Sequence, residues 1–301
     1  MSSYVIRKTP GDTAWFRHDR FGMFIHWGLY AMPARHEWVK TNERIPEEKY
    51  DKYFQYFDPD LYDAREWARQ AKAAGMKYAV LTTKHHEGFC MWDTQYTDYK
   101  CTNTPAGRDL VREYVDAFRA EGLHVGFYYS LIDWHHPDFP IDMLHPRRDD
   151  PDAYEQNQGR DMRRYAEYMR NQVTELLTNY GKIDILWFDF SYPDNEVPEK
   201  TPWMRGKGKD DWEAEKLIAL ARSLQPHIMT TAPASSRICG RRNSSSPRNG
   251  CATRRPANWS TGKPARPSPA AGVITGTSRR GKVRKCSFGC WSTPCLWAAT
   301  C

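Results

Sequence analysis

Residues 183–190 read IDILWFDF, an apolar run broken only by Asp184 and Asp189. A strand covered on both faces of a parallel sheet carries such a near-continuous run, whereas a half-exposed strand alternates. Asp189 ends the run between Phe188 and Phe190. A carboxylate in that company is costly to bury without a partner or a task. Side chains alternate along a strand, so Trp187 shares the face of Asp189. The plain alternatives are an Asp that caps the next turn and a Trp that packs the core.

Similar runs stand upstream, at 21–28 (FGMFIHWG), 78–83 (YAVLTT) and 124–131 (HVGFYYSL), and a fifth begins at 227–230. Between them, residues 61–74, 109–120, 152–179 and 211–223 carry apolar side chains at helical spacing, and Gly75, Gly122 and Gly181 stand where the first three helices would end. Strands alternating with helices predict a parallel sheet covered by helices. The polar residues suited to chemistry, His26, His85, His86, Asp133 and Asp189, all fall at C-terminal strand ends. A (β/α) barrel keeps its active site there. A doubly wound sheet is the rival, but no Gly-rich phosphate loop follows any of these strands. The expected fold is therefore α/β, an incomplete (β/α)8-like barrel of the TIM type over residues 1–230, followed by a tail over 231–301.

That tail has a different composition. Its 71 residues hold 13 Lys or Arg and no Asp or Glu, which leaves 31 basic against 37 acidic residues in the first 230. The formal charge of +7 for the chain thus describes neither part. An acidic-leaning barrel gives no reason to expect nucleic acid or an anionic membrane as partner. Six of the eight cysteines lie in the tail, leaving Cys90 and Cys101 in the barrel region. Two cysteines make no disulfide framework, so a reducing compartment is expected, and with no evident signal peptide the expected location is the cytoplasm. No apolar stretch reaches the length of a membrane span. The tail, rich in Ser, Pro, Gly and Arg, is expected to be disordered.

Asp189 is the candidate nucleophile, since a carboxylate at a barrel strand end beside aromatic side chains suits glycosidic chemistry. His85 and His86 follow the second strand, and adjacent residues share a face only if the chain bends. Glu37 and Trp38, after the first strand, offer a hydroxyl acceptor and a flat face for a sugar. In the pair Tyr128-Tyr129 one ring points inward, and Tyr129, nearer the strand end, is chosen. A metal site built from these histidines with His135, His136 and Asp138 is the competing idea. It lacks both the His-x-His strand and the His-Glu-x-x-His helix, so no metal or other cofactor is expected.

Together these segments resemble the α-L-fucosidases of glycoside hydrolase family 29. The resemblance lies in Trp15-Phe16, residues 21–28, Glu37-Trp38, 84–89 (KHHEGF), 107–111 (GRDLV), 126–130 (GFYYS) and 186–189 (LWFD), in family order. It implies a catalytic barrel that hydrolyses terminal α-linked L-fucose with retention, without metal, on a fucosylated glycan or fucoside. It makes Asp189 the nucleophile and places His26, Glu37, Trp38, His85, His86 and one tyrosine around the sugar; Tyr129, chosen by its position, and Trp187, which shares the face of Asp189, complete the candidates. Retention also needs a second carboxyl group as acid and then base. Many relatives carry it on a Glu in a Trp-Glu pair downstream, and nothing after Met229 matches. Glu213 and Glu215 fall in an expected helix and are not assigned.

The tail does match if its codons are shifted by one base. Residues 259–267 (WSTGKPARP) then permit VYWEACQT, which contains a Trp-Glu pair, and residues from 284 on permit EMLVRMLVDTVSMGGNL. The tail is therefore expected to be an out-of-frame product of a one-base change near 228–231, and the chain an inactive fragment without its acid. The alternatives are a metal-dependent barrel hydrolase and a non-catalytic sugar- or nucleic-acid-binding protein. The latter would use Arg241-Arg242, Arg254-Arg255 and Arg279-Arg280.

Overall fold

In a computed structural model of the chain, residues 13–193 and 201–231 are described, together with the backbone of 296–300. The helices are α1 (Ala14–Asp19), α2 (Val39–Asn42), α3 (Glu47–Gln55), α4 (Ala64–Ala73), α5 (Leu110–Ala120), α6 (Ala153–Gln156), α7 (Met162–Thr178) and α8 (Ala214–Leu224). The strands are β1 (Gly22–His26), β2 (Tyr78–Lys84), β3 (His124–Ser130), β4 (Ile185–Asp189), β5 (Met229–Thr230) and β6 (Leu296–Thr300). All pairings are parallel, in the order β5-β4-β3-β2-β1-β6. From β1 to β5 the order follows the chain without reversal. A doubly wound sheet reverses at a switch point, so that rival is excluded.

The helices that cover the sheet start and stop on local chemistry. Asp63, Asp109 and Asp161 cap α4, α5 and α7, their carboxylates accepting backbone N–H groups of the first turn. Gly75, Gly122 and Gly181 follow with φ between 69° and 85°, the left-handed conformation that releases a helix C-terminus. The single helix expected at 152–179 is two helices. The side chain of Asn157, at the end of α6, bonds the backbone of Ile141 both ways, at 2.7 and 2.8 Å, Gly159 follows with φ of 89°, and Asp161 restarts the helix as a cap. Three helices that sequence periodicity did not mark, α1, α2 and α3, lie in the first 55 residues.

The sheet has two unlike faces. Toward the helices lies the main core, with Leu81, Val125, Phe127, Tyr129, Leu186 and Phe188. The other face carries a smaller cluster of Phe24, Tyr78, Val80, Tyr128 and Ile185. Register fixes that face, because Phe24 pairs with Val80, Val80 with Gly126 and Gly126 with Ile185. A Cβ on Gly126 would come within 2.9 Å of both Val80 and Ile185, so the inner face closes only around a glycine there. Trp15 and Phe16 of α1 pack against this cluster at the strand N-termini, Trp15 stacking on His124 at 3.8 Å. That end is covered, and the C-terminal end is left for a site.

Within the tail, the described segment 296–300 is a strand. This segment lies parallel to β1, from Gly22 opposite Leu296 to His26 opposite Thr300. The outer edge of β1 presents unpaired backbone groups, and an apolar pentapeptide satisfies them. The remaining tail, 232–295, lies outside the described residues. No helix among the described residues is long and apolar enough to cross a membrane. Cys90 and Cys101 are buried free thiols.

Candidate active site

Four strand ends converge on one mouth. His26 ends β1, His85 and His86 follow β2, Ser130 ends β3 and Asp189 ends β4. Tyr128 joins them from the inner face of β3 and donates a 2.6 Å hydrogen bond to Asp189 Oδ2. Burial, reinforced by the Asp189 charge, pushes the Tyr128 phenol well above its ordinary range, so it stays a donor. The His85 ring stacks on Tyr128 at 5.7 Å, and His26 lies 5.3 Å from Tyr128 and 5.7 Å from His85. Trp187, half-buried on the same face as Asp189, sits 5.6 Å from Phe24.

Both histidines after β2 reach the site because β2 bends. Its pairing with β3 shifts between Thr82 and Lys84, and the two imidazoles end 4.1 Å apart. A β-bulge of this kind re-aims side chains at a strand end. Burial, then the neighbouring His85 and His26, hold His86 well below the usual imidazole range. Burial and His85 bring His26 down to about 4, with Glu37 opposing. The mouth therefore offers two imidazoles that favour the neutral form, His26 and His86, near the Asp189 carboxylate, an arrangement suited to hydroxyl recognition.

Glu37 and His26 line one pocket of about 280 Å³, with Tyr30, Arg35 and His36. Trp38 packs on the other flank, 4.6 Å from His86 and 5.0 Å from Phe190. Phe190 holds that position with φ of 75°, a left-handed conformation uncommon for an aromatic residue. Strain of this kind persists where the surroundings over-determine it, and it clusters at functional sites.

Tyr129 is not at the mouth. Its hydroxyl bonds Gln172 Oε1 at 2.8 Å and accepts from Lys84 Nζ at 3.0 Å, on the helix side of the sheet. The expectation chose the wrong member of the pair. Val125, Phe127, Tyr129 and Leu131 form the more apolar phase of β3, which the helices cover, while Gly126, Tyr128 and Ser130 face inward. That contrast was available in the sequence. Tyr30, Ser130 and Phe190, also at the mouth, carried no sequence signal of their own.

Asp133 is not a reacting group either. It is buried and pairs with Lys84 at 3.1 Å, while Oδ1 accepts the N–H groups of His135 and His136. Burial alone would raise its carboxyl, yet Lys84 and the two histidines bring it below the usual carboxylate range. His135 stacks on Tyr99 at 3.9 Å and His136 lies 4.3 Å from Tyr168. Among the described residues no group of three or more His, Cys, Asp or Glu is arranged to hold a metal ion. Glu213 pairs with Arg170 and Lys216 at the start of α8, and Asp189 has no second carboxylate hydrogen-bonded beside it among the described residues.

Comparison with known proteins completes the site. The family model described as "Alpha-L-fucosidase" matches residues 5–262, past the expected break near 231. The plasma α-L-fucosidase of Homo sapiens is 32% identical over 194 residues, 58% of this chain and 39% of that protein. α-L-Fucosidase isoenzyme 1 from Paenibacillus thiaminolyticus is 60% identical, with a TM-score of 0.65 over 72% of this chain and 49% of that one. A family 29 α-L-fucosidase from Bacteroides thetaiotaomicron, trapped as a covalent intermediate with 2-fluoro-fucosyl fluoride, is 34% identical. Its TM-score is 0.56 over 71% of this chain and 47% of that one. The chain thus spans about half the length of these structures, or less of the curated relatives.

Proposed function

The chain belongs to the α-L-fucosidase family, and from that premise we propose that residues 13–231 hold the nucleophile half of a retaining fucoside hydrolase. The observation that carries the reading is the Tyr128–Asp189 hydrogen bond at 2.6 Å, set at a strand C-terminus among the rings of His26, His85 and Trp187. In this reading a carboxylate oxygen of Asp189 attacks the anomeric carbon of an α-linked L-fucose. The bond to the aglycone oxygen breaks as the glycosyl ester forms, and water later displaces the ester. Tyr128 holds the carboxylate aimed between attacks. His26, Glu37, Trp38, His85, His86 and Trp187 bind the sugar.

The same premise makes the sheet part of a (β/α)8 barrel. The in-order strands and the helical cover on one face support it, as does the covered N-terminal end. The acid and base then belong downstream of β5. The one-base shift proposed for the tail supplies a Trp-Glu pair there. Domain limits of 1–230 and 231–301 and a cytoplasmic location follow from the same sequence reading.

The deciding experiment corrects one base near codon 230 and assays the longer product on p-nitrophenyl α-L-fucoside. Hydrolysis with release of α-L-fucose as first product, the outcome of two displacements, supports the proposal. A folded corrected protein inert toward every α-fucoside would end it.

A further inference from the structure

Ser130 has one hydroxyl proton, and it is committed. Its Oγ donates to the carbonyl of Ile132 at 2.7 Å. The same Oγ lies 2.7 Å from His86 Nδ1. Having given its proton away, Ser130 can only accept there, so the proton in this second bond comes from His86. Trp134 N–H holds the His86 backbone carbonyl at 2.8 Å, so the residue is pinned at both ends. His86 is buried and neutral, and a neutral imidazole with its proton on Nδ1 keeps a bare lone pair on Nε2. That Nε2 is buried and has no hydrogen-bond partner, and the ring is flanked by Trp38, Trp134 and Phe190 at 4.6 to 5.5 Å.

A buried acceptor without a donor costs free energy unless a ligand supplies one. We propose that Ser130 is a positioning residue that locks His86 as the Nδ1–H tautomer and so makes His86 Nε2 a pure acceptor for one hydroxyl of the bound sugar. This rests on the fucosidase reading for its ligand but not for its tautomer. It sets a specificity. The sugar must donate at that position, so a deoxy or a fluoro substituent is refused alike, because fluorine has no proton to give. A donor ring nitrogen would instead tolerate fluorine. Without Ser130 the imidazole is free to place its proton on Nε2, which offers a donor where the sugar needs an acceptor.

The test is long-range 15N NMR on the full chain, with His86 assigned by its absence in His86→Asn. The parent is expected to show a pyrrole-type Nδ1 and a pyridine-type Nε2, and Ser130→Ala is expected to lose that pattern. Ser130→Thr, which keeps the hydroxyl, is expected to restore it, and unchanged amide signals from α5 show that each variant is folded. L-Fucose should perturb Nε2 in the parent and bind about tenfold more weakly to Ser130→Ala, the loss of one hydrogen bond. A pyridine-type Nδ1 in the parent, or a tautomer indifferent to Ser130→Ala, overturns the proposal while leaving the fucosidase reading standing. If saturating L-fucose leaves Nε2 unmoved, the sugar part of the proposal falls. If the protein binds no fucose at all, the functional reading falls with it.

Discussion

Tyr128 and Asp189 are joined out of register. The backbone partner of Tyr128 is Trp187, yet its phenol reaches past it to donate to Asp189 Oδ2 at 2.6 Å. In the frame-corrected enzyme Tyr128→Phe is expected to lower kcat/KM for p-nitrophenyl α-L-fucoside about tenfold or more, since a hydrogen bond to a charged group is lost. Tyr129→Phe, which removes a hydroxyl bound to Gln172 and Lys84, is expected to lower stability and leave kcat/KM within about twofold. Steady-state kinetics on the two variants decides which tyrosine serves the site, and equal losses would contradict the assignment.

Asp189→Ala in the corrected enzyme is expected to remove turnover and keep fucose binding. In the proposed mechanism the nucleophile contributes to bond making, whereas His26, His86 and Trp38 are assigned to binding the sugar. Azide should rescue turnover and give β-fucosyl azide, because a small anion fills the space on the attacked face. Fucose affinity by calorimetry and product stereochemistry by NMR are the measurements. A variant as active as its parent would remove Asp189 from the reaction.

Lys84, the residue before His85 and His86, pairs with Asp133 at 3.1 Å with both side chains buried. Asp133→Asn can keep Oδ1 as acceptor for the His135 and His136 N–H groups, but it removes the charge and puts an amide donor where Oδ2 accepts from Lys84. It leaves a buried ammonium unpaired, so a loss of about 3–5 kcal/mol is expected. Replacing both, with Lys84→Met added, should recover part of that loss. Urea denaturation of the single and double variants reads the difference, and additive losses would show that the two charges are not coupled.

How much of this was legible beforehand varies with the kind of signal. The five strands through β5 and the helices α4, α5 and α8 announce themselves, because burial and periodicity are local properties of the chain. Asp189 was found the same way, as a carboxylate misplaced in an apolar strand. The break between α6 and α7 was not legible, since it depends on Asn157 meeting Ile141 across sixteen residues. Tyr128 was missed because the choice rested on nearness to the strand end, whereas the more apolar phase of Val125, Phe127, Tyr129 and Leu131 marks the helix-covered face. Ser130 and Phe190 were invisible because their roles lie in one committed proton and one backbone angle.

Acid should weaken the fold through its buried histidines. Burial and its neighbours hold His26 down to about 4, and burial, with nearby cations, holds His145 down to about 3. In the unfolded chain an imidazole protonates near about 6.5. Below that value the unfolded state binds protons that the folded state refuses, so stability falls as pH drops from about 6.5 toward 4. Glu47, drawn down to about 2 by His135 and Lys40 against its burial, keeps its contribution at pH 5 and loses it as pH falls from about 4.5 toward about 2. Urea midpoints at pH 7 and pH 5 should therefore differ, and His145→Gln should flatten the difference. A midpoint independent of pH in this window would mean these rings are not neutral in the fold.

The 301-residue chain itself is expected to bind L-fucose and not to hydrolyse fucosides. Binding needs the mouth built by β1 to β4, which is present. Hydrolysis needs a proton delivered to the leaving oxygen while Asp189 attacks, and one carboxylate cannot serve as both nucleophile and donor in one step. Glu213 is held by Arg170 and Lys216, and the Glu87 carboxylate is buried, 3.3 Å from His85 Nδ1. Glu37 lies with His26 in the pocket assigned here to the sugar. Loss of general acid catalysis costs about 10²–10⁴-fold. The penalty depends on the leaving group, and that makes the test specific. An aryl fucoside with a good leaving group should be less impaired than a fucosyl glycan, because a weakly basic phenolate departs without protonation. Comparing p-nitrophenyl α-L-fucoside with an α-fucosyl-N-acetylglucosamine, on this chain and on the frame-corrected enzyme, separates a missing acid from a missing site. Equal impairment of both substrates would place the defect in binding, and full activity on the glycan would show that the chain already holds its acid.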